Sequence, residues 1–240
     1  MVVRRAVLNI AHRGASGTFP ENTLRAFRAA IDAGADMCEL DVQLTRDRKV
    51  VVIHDETVER TTEGQGAVVA LTLEELQRLD AGARFQEDAH RREHIPTLDE
   101  VFALTSGCCG LNIELKAAGV EAQVAQIMAA RDAFDDSIVS SFDWNLLKNI
   151  QELNFKIRVG LLAEEQPIEL MTSAVAMRAF AINPRWDMVN ADLCEQAHAR
   201  GLKVYTWTVD SDARMRELIE CGVDGIMTNY PERLKKVLGG

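Results

Sequence analysis

The sequence predicts an α/β fold, a TIM (β/α)₈ barrel with a small insertion after the second strand. Three observations support this prediction. Short apolar runs alternate with helical patterns from end to end, the second and third runs are too close for a parallel crossover, and no G-x-G-x-x-G turn follows the first run. The chain has 240 residues, the size of one large α/β domain, so we expect a single domain over residues 1–240.

Nine apolar runs are short enough to be strands. They are Val7–Ala11, Met37–Leu44, Val50–Ile53, Leu111–Leu115, Ile138–Ser141, Ile157–Leu162, Ala179–Ile182, Lys203–Thr208 and Gly225–Thr228. The first helical pattern is the clearest, because apolar residues recur at helical spacing over Leu24–Ile31 after a candidate N-cap at Asn22 or Thr23. Repeated βα units of this kind predict a parallel sheet, either closed into a barrel or open and doubly wound.

The third apolar run does not fit an eightfold repeat. Only Thr45–Lys49 separates it from the second run. A parallel neighbour needs a crossover of roughly a dozen residues, so this pair is predicted to be an antiparallel hairpin. Eight βα strands then remain, the number in a closed barrel. The missing dinucleotide-binding glycine turn weakens the open-sheet alternative.

A long excursion covers about residues 45–97. It contains the turn-forming stretch TTEGQG, a short helical pattern at Leu71–Asp80 and a charged run at Gln86–His94, and a further helix begins near Thr97. Long loops are often functional, so we expect a subdomain or a lid over one barrel face. A surface loop with no role is the alternative.

The composition excludes several functional classes. With 37 acidic against 27 basic residues the net charge is −10, and the basic residues form no block, which argues against a nucleic-acid partner. An anionic substrate must therefore be held by a local cluster of positive charge or by a metal. The five cysteines lack disulfide or zinc spacing, and the apolar run Ala6–Ala11 is too short for a signal peptide or a membrane span. We expect a cytoplasmic monomer or homodimer without stable membrane association.

Ionisable and aromatic residues cluster where the predicted strands end, which is where barrel enzymes carry their chemistry. They are His12 and Arg13 after the first strand, Glu39 and Asp41 on the second, Asn112, Glu114 and Lys116 on the fourth run, and Tyr205 and Trp207 on the eighth. If Leu44 pairs with Val50 in the hairpin, position 54 falls opposite position 40. His54 is then adjacent to both Glu39 and Asp41.

Three of these residues point to a metal. Glu39, Asp41 and Glu114 would repel one another unless they share a cation. Oxygen ligands without a cysteine or a closely spaced histidine pair suit Mg²⁺ or Ca²⁺ better than Zn²⁺. Arg13 and Lys116 supply the positive charge that a phosphate needs.

The histidines complete this interpretation. His12 and His54 suit a general base and a general acid near neutral pH. Each site residue alone has a structural explanation, as a cap, a rim charge or barrel packing, and only their coincidence at strand ends favours a functional one. His90, His94 and His198 lie in a charged loop or a helical pattern, and we assign them no role.

Longer motifs surround these residues. They are His12–Gly14 (HRG), Pro20–Thr23 (PENT), Glu39–Asp41 (ELD), Val50–Asp55 (VVVIHD), Asn112–Lys116 (NIELK), Ser141–Phe142, Val204–Val209 (VYTWTV) and Asp224–Pro231 (DGIMTNYP). In order and spacing this set resembles the glycerophosphodiester phosphodiesterases over nearly the whole chain. HRG, PENT, E-x-D and HD together make the resemblance highly specific.

The resemblance implies a TIM barrel that hydrolyses glycerophosphodiesters, such as glycerophosphocholine or glycerophosphoethanolamine, to glycerol 3-phosphate and an alcohol. By this resemblance the residue roles are a divalent metal at Glu39, Asp41 and Glu114, an acid/base pair at His12 and His54, phosphate binding at Arg13 and Lys116, and a substrate contact at Trp207. Glu21 and Asn22 of the PENT motif are expected to be architectural.

Two positions depart from the family pattern. Asn229 stands where many members have Asp, and Asp210 where many have Asn. We expect both at the barrel rim, where they could alter substrate preference without touching the metal or the acid/base set.

Three alternatives remain open. A lysophospholipase D-like phosphodiesterase would share the site but need an apolar groove for an acyl chain. A Schiff-base aldolase would use Lys116 at a strand end, although it leaves the carboxylates and His54 unexplained. A non-catalytic barrel that only binds phosphodiesters would not need an acid/base pair.

Overall fold

The computed structural model describes residues 7–85 and 92–239. Its strands are β1 (Leu8–His12), β2 (Met37–Leu44), β3 (Val50–Val52), β4 (Gly110–Leu115), β5 (Ser137–Ser141), β6 (Val159–Ala163), β7 (Ala181–Pro184), β8 (Lys203–Thr206) and β9 (Gly225–Thr228). Each predicted strand is present. β6 and β7 begin two residues later than their apolar runs, because residues such as Ile157 are buried just outside the hydrogen-bonded ladder.

The strands close into a barrel. The sheet order is β1-β9-β8-β7-β6-β5-β4-β2-β3, and β1 also pairs with β2. Neighbouring strands are parallel except for β2 and β3, which are antiparallel. In this hairpin Leu44 pairs with Val50 and Val42 with Val52, the register predicted from the sequence. The prediction of a TIM (β/α)₈ barrel with one extra strand is confirmed.

The helices in the described residues are α1 (Leu24–Asp32), α2 (Leu73–Gln77), α3 (Leu98–Thr105), α4 (Glu121–Ala130), α5 (Trp144–Leu153), α6 (Pro167–Ala176), α7 (Ala191–Ala199), α8 (Asp212–Cys221) and α9 (Pro231–Val237). Thr23 caps α1 by accepting a hydrogen bond from a first-turn N–H. α2 is shorter than the predicted Leu71–Asp80, because Thr72 and Glu75 form a capping box that fixes its start. Within the described residues, no helix is long and apolar enough to cross a membrane.

The barrel has an outer and an inner core. Outward-facing strand residues such as Leu40 and Ile113 pack against the helices. The inner cluster consists of Ile10, Ile138, Ala181, Tyr205 and Met227. Because side chains alternate along a strand, the inward-facing residues nearer the carboxyl ends are the polar ones of the sequence motifs. One end of the barrel is therefore apolar inside, and the other is polar.

The chain between β2 and β4 forms a small subdomain beside the barrel. Its described part, residues 45–85 and 92–97, contains β3, a 3₁₀ turn (Val68–Ala70) and α2. These pack around an apolar cluster of their own, Val51, Ile53, Val58, Val68, Leu76, Ala81 and Ile95. α3 begins after Thr97, as predicted. Residues 86–91, which include most of the predicted charged run and His90, lie outside the described residues.

Candidate active site

A pocket of about 170 Å³ opens at the carboxyl ends of the barrel strands. Seven of the eight site residues predicted from the sequence line it: His12, Arg13, Glu39, His54, Glu114, Lys116 and Trp207. The eighth, Asp41, is fully buried beside them. A larger groove of about 540 Å³ runs along the outer surface by α6 and α7, but helix residues contribute most of its lining. The chemistry-bearing residues face the smaller pocket.

Three carboxylates meet beneath this pocket. Glu39 and Asp41 lie on β2, and Asp41 pairs in register with Glu114 of the parallel strand β4, so alternation places all three on the inner face. One carboxylate oxygen of each lies within 4.8 Å of the others. The side chains of Glu39, Asp41 and Glu114 are 4%, 0% and 12% exposed.

Proximity and burial perturb these carboxylates strongly. Burial raises the pKa of Glu39 well above its usual value, and the charges of Asp41 and Glu114 add to the rise. Burial, followed by the Asp41 charge, raises the pKa of Glu114 to about 7, although Lys116 opposes the rise. Ionising all three groups together is therefore costly without an added positive charge.

The donor set fits a hard divalent cation. Asp41 Oδ1 is buried and has no hydrogen-bond partner among the described residues. Its other oxygen accepts a hydrogen bond from Asn22 Nδ2 at 2.9 Å and lies 3.2 Å from Arg13 Nε. A buried oxygen without a hydrogen bond is costly unless it gains a partner. Together the three carboxylates offer only oxygen ligands, the kind that Mg²⁺ or Ca²⁺ binds.

His12 ends β1, and its two ring nitrogens have different surroundings. Nδ1 lies 2.7 Å from Asn229 Oδ1, and Nε2 lies 3.9 Å from Glu39 Oε2. Burial lowers the pKa of His12 and the neighbouring Arg13 charge lowers it further, whereas the Asn229 hydrogen bond opposes both. Burial therefore favours the neutral imidazole of His12.

The contact between Asn229 and His12 shows that one expectation was wrong, because Asn229 does touch a member of the predicted acid/base pair. β1 and β9 are neighbours where the barrel closes, with Ala11 paired to Thr228, so the residue after β9 lies beside the residue that ends β1. Asp210 in turn accepts hydrogen bonds from Asn229 and from Thr228. The two departures from the family pattern form one hydrogen-bonded pair that reaches His12.

His54 lies between a carboxylate and an ammonium. Its Nδ1 is 2.6 Å from Asp55 Oδ1, and its Nε2 is 3.1 Å from Lys116 Nζ. An ammonium only donates, so Nε2 accepts and Nδ1 carries the hydrogen that Asp55 receives. Gln43 Nε2 donates to the backbone oxygens of His54, at 3.0 Å, and of Asp55, which holds this turn against β2.

Lys116 is paired rather than free. Its Nζ donates to Glu114 Oε1 at 2.8 Å and lies 3.8 Å from Asp41 Oδ1. Burial lowers the pKa of Lys116, but the Glu114 and Asp41 charges outweigh burial and raise it overall. A Schiff-base lysine must lose its proton to attack a carbonyl, so this environment argues against the aldolase alternative.

Arg13 is fixed by carboxylates on two sides. Its Nη1 donates to Glu21 Oε1 at 2.9 Å, and its Nε lies 3.2 Å from Asp41 Oδ2. Its backbone N–H donates to Glu39 Oε2 at 3.0 Å, and its φ is 56°, in the left-handed region that a residue with a side chain rarely adopts. The strained turn after β1 thus places both the guanidinium and the N–H of Arg13 beside the carboxylates.

Arg60 connects the insertion to this site. Its guanidinium donates to both oxygens of Glu21, each at 2.8 Å, and to the two oxygens of Asp55 at 2.6 and 3.1 Å. Glu21 holds Arg13, and Asp55 holds His54. The insertion therefore supports one phosphate-binding candidate and one acid/base candidate through a single side chain.

An aromatic pair forms part of the pocket wall. The rings of Trp207 and Phe142 meet edge to face, with centroids 5.4 Å apart and planes at 86°. Trp207 Nε1 donates to the Asn183 carbonyl at 2.8 Å, which fixes the indole. Phe142 is 43% exposed, so an apolar ring remains open at the pocket mouth.

The other two histidines of the described residues have partners elsewhere. His94 contacts Glu100 at 2.9 Å, and His198 contacts Asp224 at 2.7 Å. Sequence reasoning missed Asn229, Asp55 and Arg60 as partners of the site. Barrel closure could have indicated Asn229, and the HD motif could have indicated Asp55, but no periodicity or spacing pointed to Arg60.

The barrel carries buried carboxylates, two histidines and two cationic side chains at the carboxyl ends of its strands. This is the architecture of a barrel enzyme that acts on an anionic substrate. Residues 12–233 match the Glycerophosphoryl diester phosphodiesterase family. The chain belongs to this family.

Individual relatives agree with this membership. The chain is 42% identical to a glycerophosphodiester phosphodiesterase of Caldanaerobacter subterraneus subsp. tengcongensis, over 95% of this chain and 96% of the relative. A glycerophosphodiester phosphodiesterase of Agrobacterium tumefaciens superimposes with a TM-score of 0.85 at 30% identity, over 95% and 98% of the two chains. A phosphodiesterase of Oleispira antarctica, in complex with the product sn-glycerol-3-phosphate, gives a TM-score of 0.85 at 28% identity, over 96% of each chain. The chain is therefore an enzyme, a glycerophosphodiester phosphodiesterase.

Proposed function

We propose that this enzyme hydrolyses glycerophosphodiesters of small alcohols, such as glycerophosphocholine and glycerophosphoethanolamine, to glycerol 3-phosphate and the free alcohol, with Mg²⁺ or Ca²⁺ as cofactor. The observation that carries the proposal is the convergence of three buried carboxylates, two histidines and two cationic side chains on one pocket. The product bound to the Oleispira relative supports a glycerol 3-phosphate half of the substrate.

Glu39, Asp41 and Glu114 would hold the divalent cation. Their burial, the lack of a hydrogen bond to Asp41 Oδ1 among the described residues and the raised pKa values of Glu39 and Glu114 all favour such an occupant. When bound, the cation neutralises negative charge on the phosphate and on the transition state.

Arg13 and Lys116 are proposed to bind the phosphate oxygens. Both side chains line the pocket and are 18% exposed, so a ligand can reach their donors. The planar guanidinium of Arg13 can donate two parallel hydrogen bonds to a phosphate, whereas the Lys116 ammonium acts as a point charge.

His12 and His54 are proposed to exchange protons with the substrate in two steps. One histidine removes the proton of the glycerol 2-hydroxyl, and that oxygen attacks phosphorus while the other histidine protonates the departing alcohol oxygen. A P–O bond to the 2-oxygen forms and the P–O bond to the alcohol breaks, which leaves a cyclic phosphate. Water then opens the ring with the two histidines exchanging roles. The neighbouring hydroxyl has the advantage of an intramolecular nucleophile.

Trp207 is proposed to contact the substrate, with Phe142 beside it. Their edge-to-face pair offers an apolar surface at the pocket mouth. Aromatic faces attract quaternary ammonium groups, so this wall suits the choline end of glycerophosphocholine.

The chain is proposed to act as one catalytic domain over residues 1–240, with the insertion at about 45–97 as part of it. Its dispersed, odd-numbered cysteines support a reducing cytoplasm. Its net charge of −10 disfavours nucleic acid and anionic membrane surfaces. A monomer or a homodimer is proposed in solution.

The test is the hydrolysis of glycerophosphocholine, glycerophosphoethanolamine and lysophosphatidylcholine, each with EDTA and with Mg²⁺ or Ca²⁺ restored. It is measured as the release of glycerol 3-phosphate from the first two substrates and of choline from the third. We expect EDTA to abolish turnover of the two glycerophosphodiesters and the cation to restore it. Chelator-resistant turnover would overturn the metal proposal, and choline release mainly from lysophosphatidylcholine would support the lysophospholipase D alternative. An analogue without the 2-hydroxyl should resist cleavage, and its efficient turnover would indicate direct attack by water.

A further inference from the structure

Asp210 lies at the far end of a hydrogen-bond chain that terminates on His12. Asp210 Oδ1 accepts from the Thr228 hydroxyl at 3.0 Å and from the Asn229 backbone N–H at 2.9 Å. Its Oδ2 accepts from Asn229 Nδ2 at 2.7 Å. At the other end of the amide, Asn229 Oδ1 lies 2.7 Å from His12 Nδ1 and 2.8 Å from the Ser16 hydroxyl, whose single hydrogen also has the His12 carbonyl oxygen as an acceptor at 2.6 Å.

The chain of donors and acceptors can run in one direction only. A carboxylate only accepts, so the Asn229 NH₂ group must face Asp210, and the amide oxygen must then face His12. An amide oxygen also only accepts, so the neutral His12 ring must carry its hydrogen on Nδ1. The lone pair is therefore left on Nε2, the nitrogen nearer the carboxylates.

We propose that Asp210 is a positioning residue that sets the tautomer of His12 through the side-chain amide of Asn229. The proposal rests on the proposed function, in which His12 exchanges a proton with the substrate. Asp210 itself neither touches the substrate nor transfers a proton. It determines which nitrogen of His12 is available to take one.

Replacing Asp210 by Asn reverses the direction of these hydrogen bonds, although the new side chain has nearly the same shape. The oxygen of the new amide keeps the hydrogen bonds from Thr228 and from the Asn229 backbone, so its NH₂ group faces Asn229. The Asn229 amide then turns over to present its oxygen to residue 210 and its NH₂ group to His12. A donor opposite Nδ1 requires the lone pair there, so the ring hydrogen moves to Nε2. In that tautomer Nε2 cannot accept a proton.

The reciprocal exchange restores the original direction. With Asp210→Asn and Asn229→Asp together, the carboxylate at 229 accepts from His12 Nδ1 and from the amide at 210. The amide oxygen at 210 still accepts from Thr228 and from the backbone of residue 229. Every hydrogen bond of the native chain has a counterpart, and the charge has moved to the side chain beside His12.

The experiment compares the native enzyme, D210N and D210N/N229D with Mg²⁺ or Ca²⁺ present. The ring nitrogen of His12 that carries the hydrogen is identified by ¹⁵N–¹H correlation NMR of protein labelled with ¹⁵N in its histidines. The His12→Gln variant assigns the His12 signals. Steady-state kinetics with glycerophosphocholine give kcat and KM. Asp192→Asn is the matched control, because Asp192 lies exposed on α7 and the change removes the same charge.

We expect the hydrogen on Nδ1 in the native enzyme and on Nε2 in D210N, whose kcat falls on the order of 10²-fold with KM changed less than about threefold. D210N/N229D should return the hydrogen to Nδ1 and recover kcat to within about tenfold of native, and Asp192→Asn should match native. Nδ1–H in D210N, an unchanged kcat in D210N, or a double variant no better than D210N would each overturn the proposal. If the native enzyme releases no glycerol 3-phosphate, the proposed function fails, while the NMR comparison still decides the role of Asp210.

Discussion

The cation-free enzyme should lose stability as the pH rises through the range in which Glu114 ionises. Burial and the Asp41 charge raise the pKa of Glu114 to about 7 from its ordinary value of 4.5. Between these two values the folded state holds a proton that the unfolded state has already released. Stability falls with pH wherever the folded state binds more protons, so the contribution of Glu114 to the free energy of unfolding decreases from about pH 4.5 to pH 7 and is level above it.

The size of the effect follows from the same difference in pKa. It corresponds to about 3 kcal/mol, and solvent screening reduces it little because the Glu114 side chain is only 12% exposed. For a chain of this length, roughly 2–4 °C of melting temperature corresponds to each kcal/mol, so the loss is on the order of 10 °C. The raised pKa of Glu39 acts in the same direction. The lowered pKa of His12 acts in the opposite direction below about pH 6.5, so the contribution of Glu114 is read from its difference to Glu114→Gln.

A divalent cation that binds the ionised carboxylates should remove this penalty. The assay is the melting temperature by circular dichroism in EDTA and in excess Ca²⁺ or Mg²⁺ at several pH values from 5 to 8.5. We expect the difference between the two melting temperatures to be small at pH 5 and to grow until about pH 7.5. The pH series starts at 5 because Glu21 and Asp55 affect stability below that value. Their hydrogen bonds with Arg60 lower their pKa values to about 2, so the free energy of unfolding rises with pH in acid.

Two variants separate Glu114 from the general effect of a divalent cation. Glu114→Gln should flatten the pH dependence in EDTA and reduce the stabilisation by Ca²⁺ or Mg²⁺. Glu169→Gln changes an exposed residue of α6 and should behave as native. A cation effect that is the same at pH 5 and pH 8, or one that persists in full in Glu114→Gln, would refute the reasoning.

Three further outcomes are expected. His12→Ala and His54→Ala should each lower kcat on the order of 10²–10⁴-fold with an unchanged circular dichroism spectrum, and near-normal turnover in either would remove that histidine from the mechanism. Arg60→Gln removes four charge-assisted hydrogen bonds and should lower the free energy of unfolding in urea. The loss should be only about 1–2 kcal/mol because the Arg60 side chain is partly exposed, and an unchanged urea midpoint would contradict this. Gly14→Ala places a methyl group 2.6 Å from an α1 backbone carbon, at a φ of +79°. The control is Gly107→Ala, where φ is +69° and the added methyl group has open space. The Gly14→Ala protein should melt well below the control, and equal melting temperatures would argue against the steric clash.

The hairpin shows why much of the site could be predicted from the sequence. A short connection forces β2 and β3 to be antiparallel, and the register found, with Leu44 opposite Val50, is the one assumed in placing His54 beside the carboxylates. Strand alternation likewise sets Glu39, Asp41 and Glu114 on one face. These inferences depend on local geometry with a fixed period, which a single sequence carries.

The partners of the histidines depend on contacts of another kind. Asn229 reaches His12 because the last strand of a closed barrel lies beside the first, a consequence of the predicted fold that motif spacing does not express. Arg60 lies in a segment without helical or strand periodicity, and its contacts with Glu21 and Asp55 are set by the tertiary packing of the insertion. Long-range side-chain pairs of this sort leave no periodic trace in a sequence.

The structure also explains how a chain with a net charge of −10 can bind an anion. The two cationic side chains of the pocket are engaged by carboxylates, Arg13 by Glu21 and Asp41, and Lys116 by Glu114. These ion pairs largely cancel the charges of the two side chains and would weaken their attraction for a phosphate. A divalent cation on the carboxylates would take over the neutralisation that Lys116 now provides and leave its ammonium available to the substrate. Phosphate affinity should therefore depend on the cation twice, once through its own charge and once through the lysine that it releases.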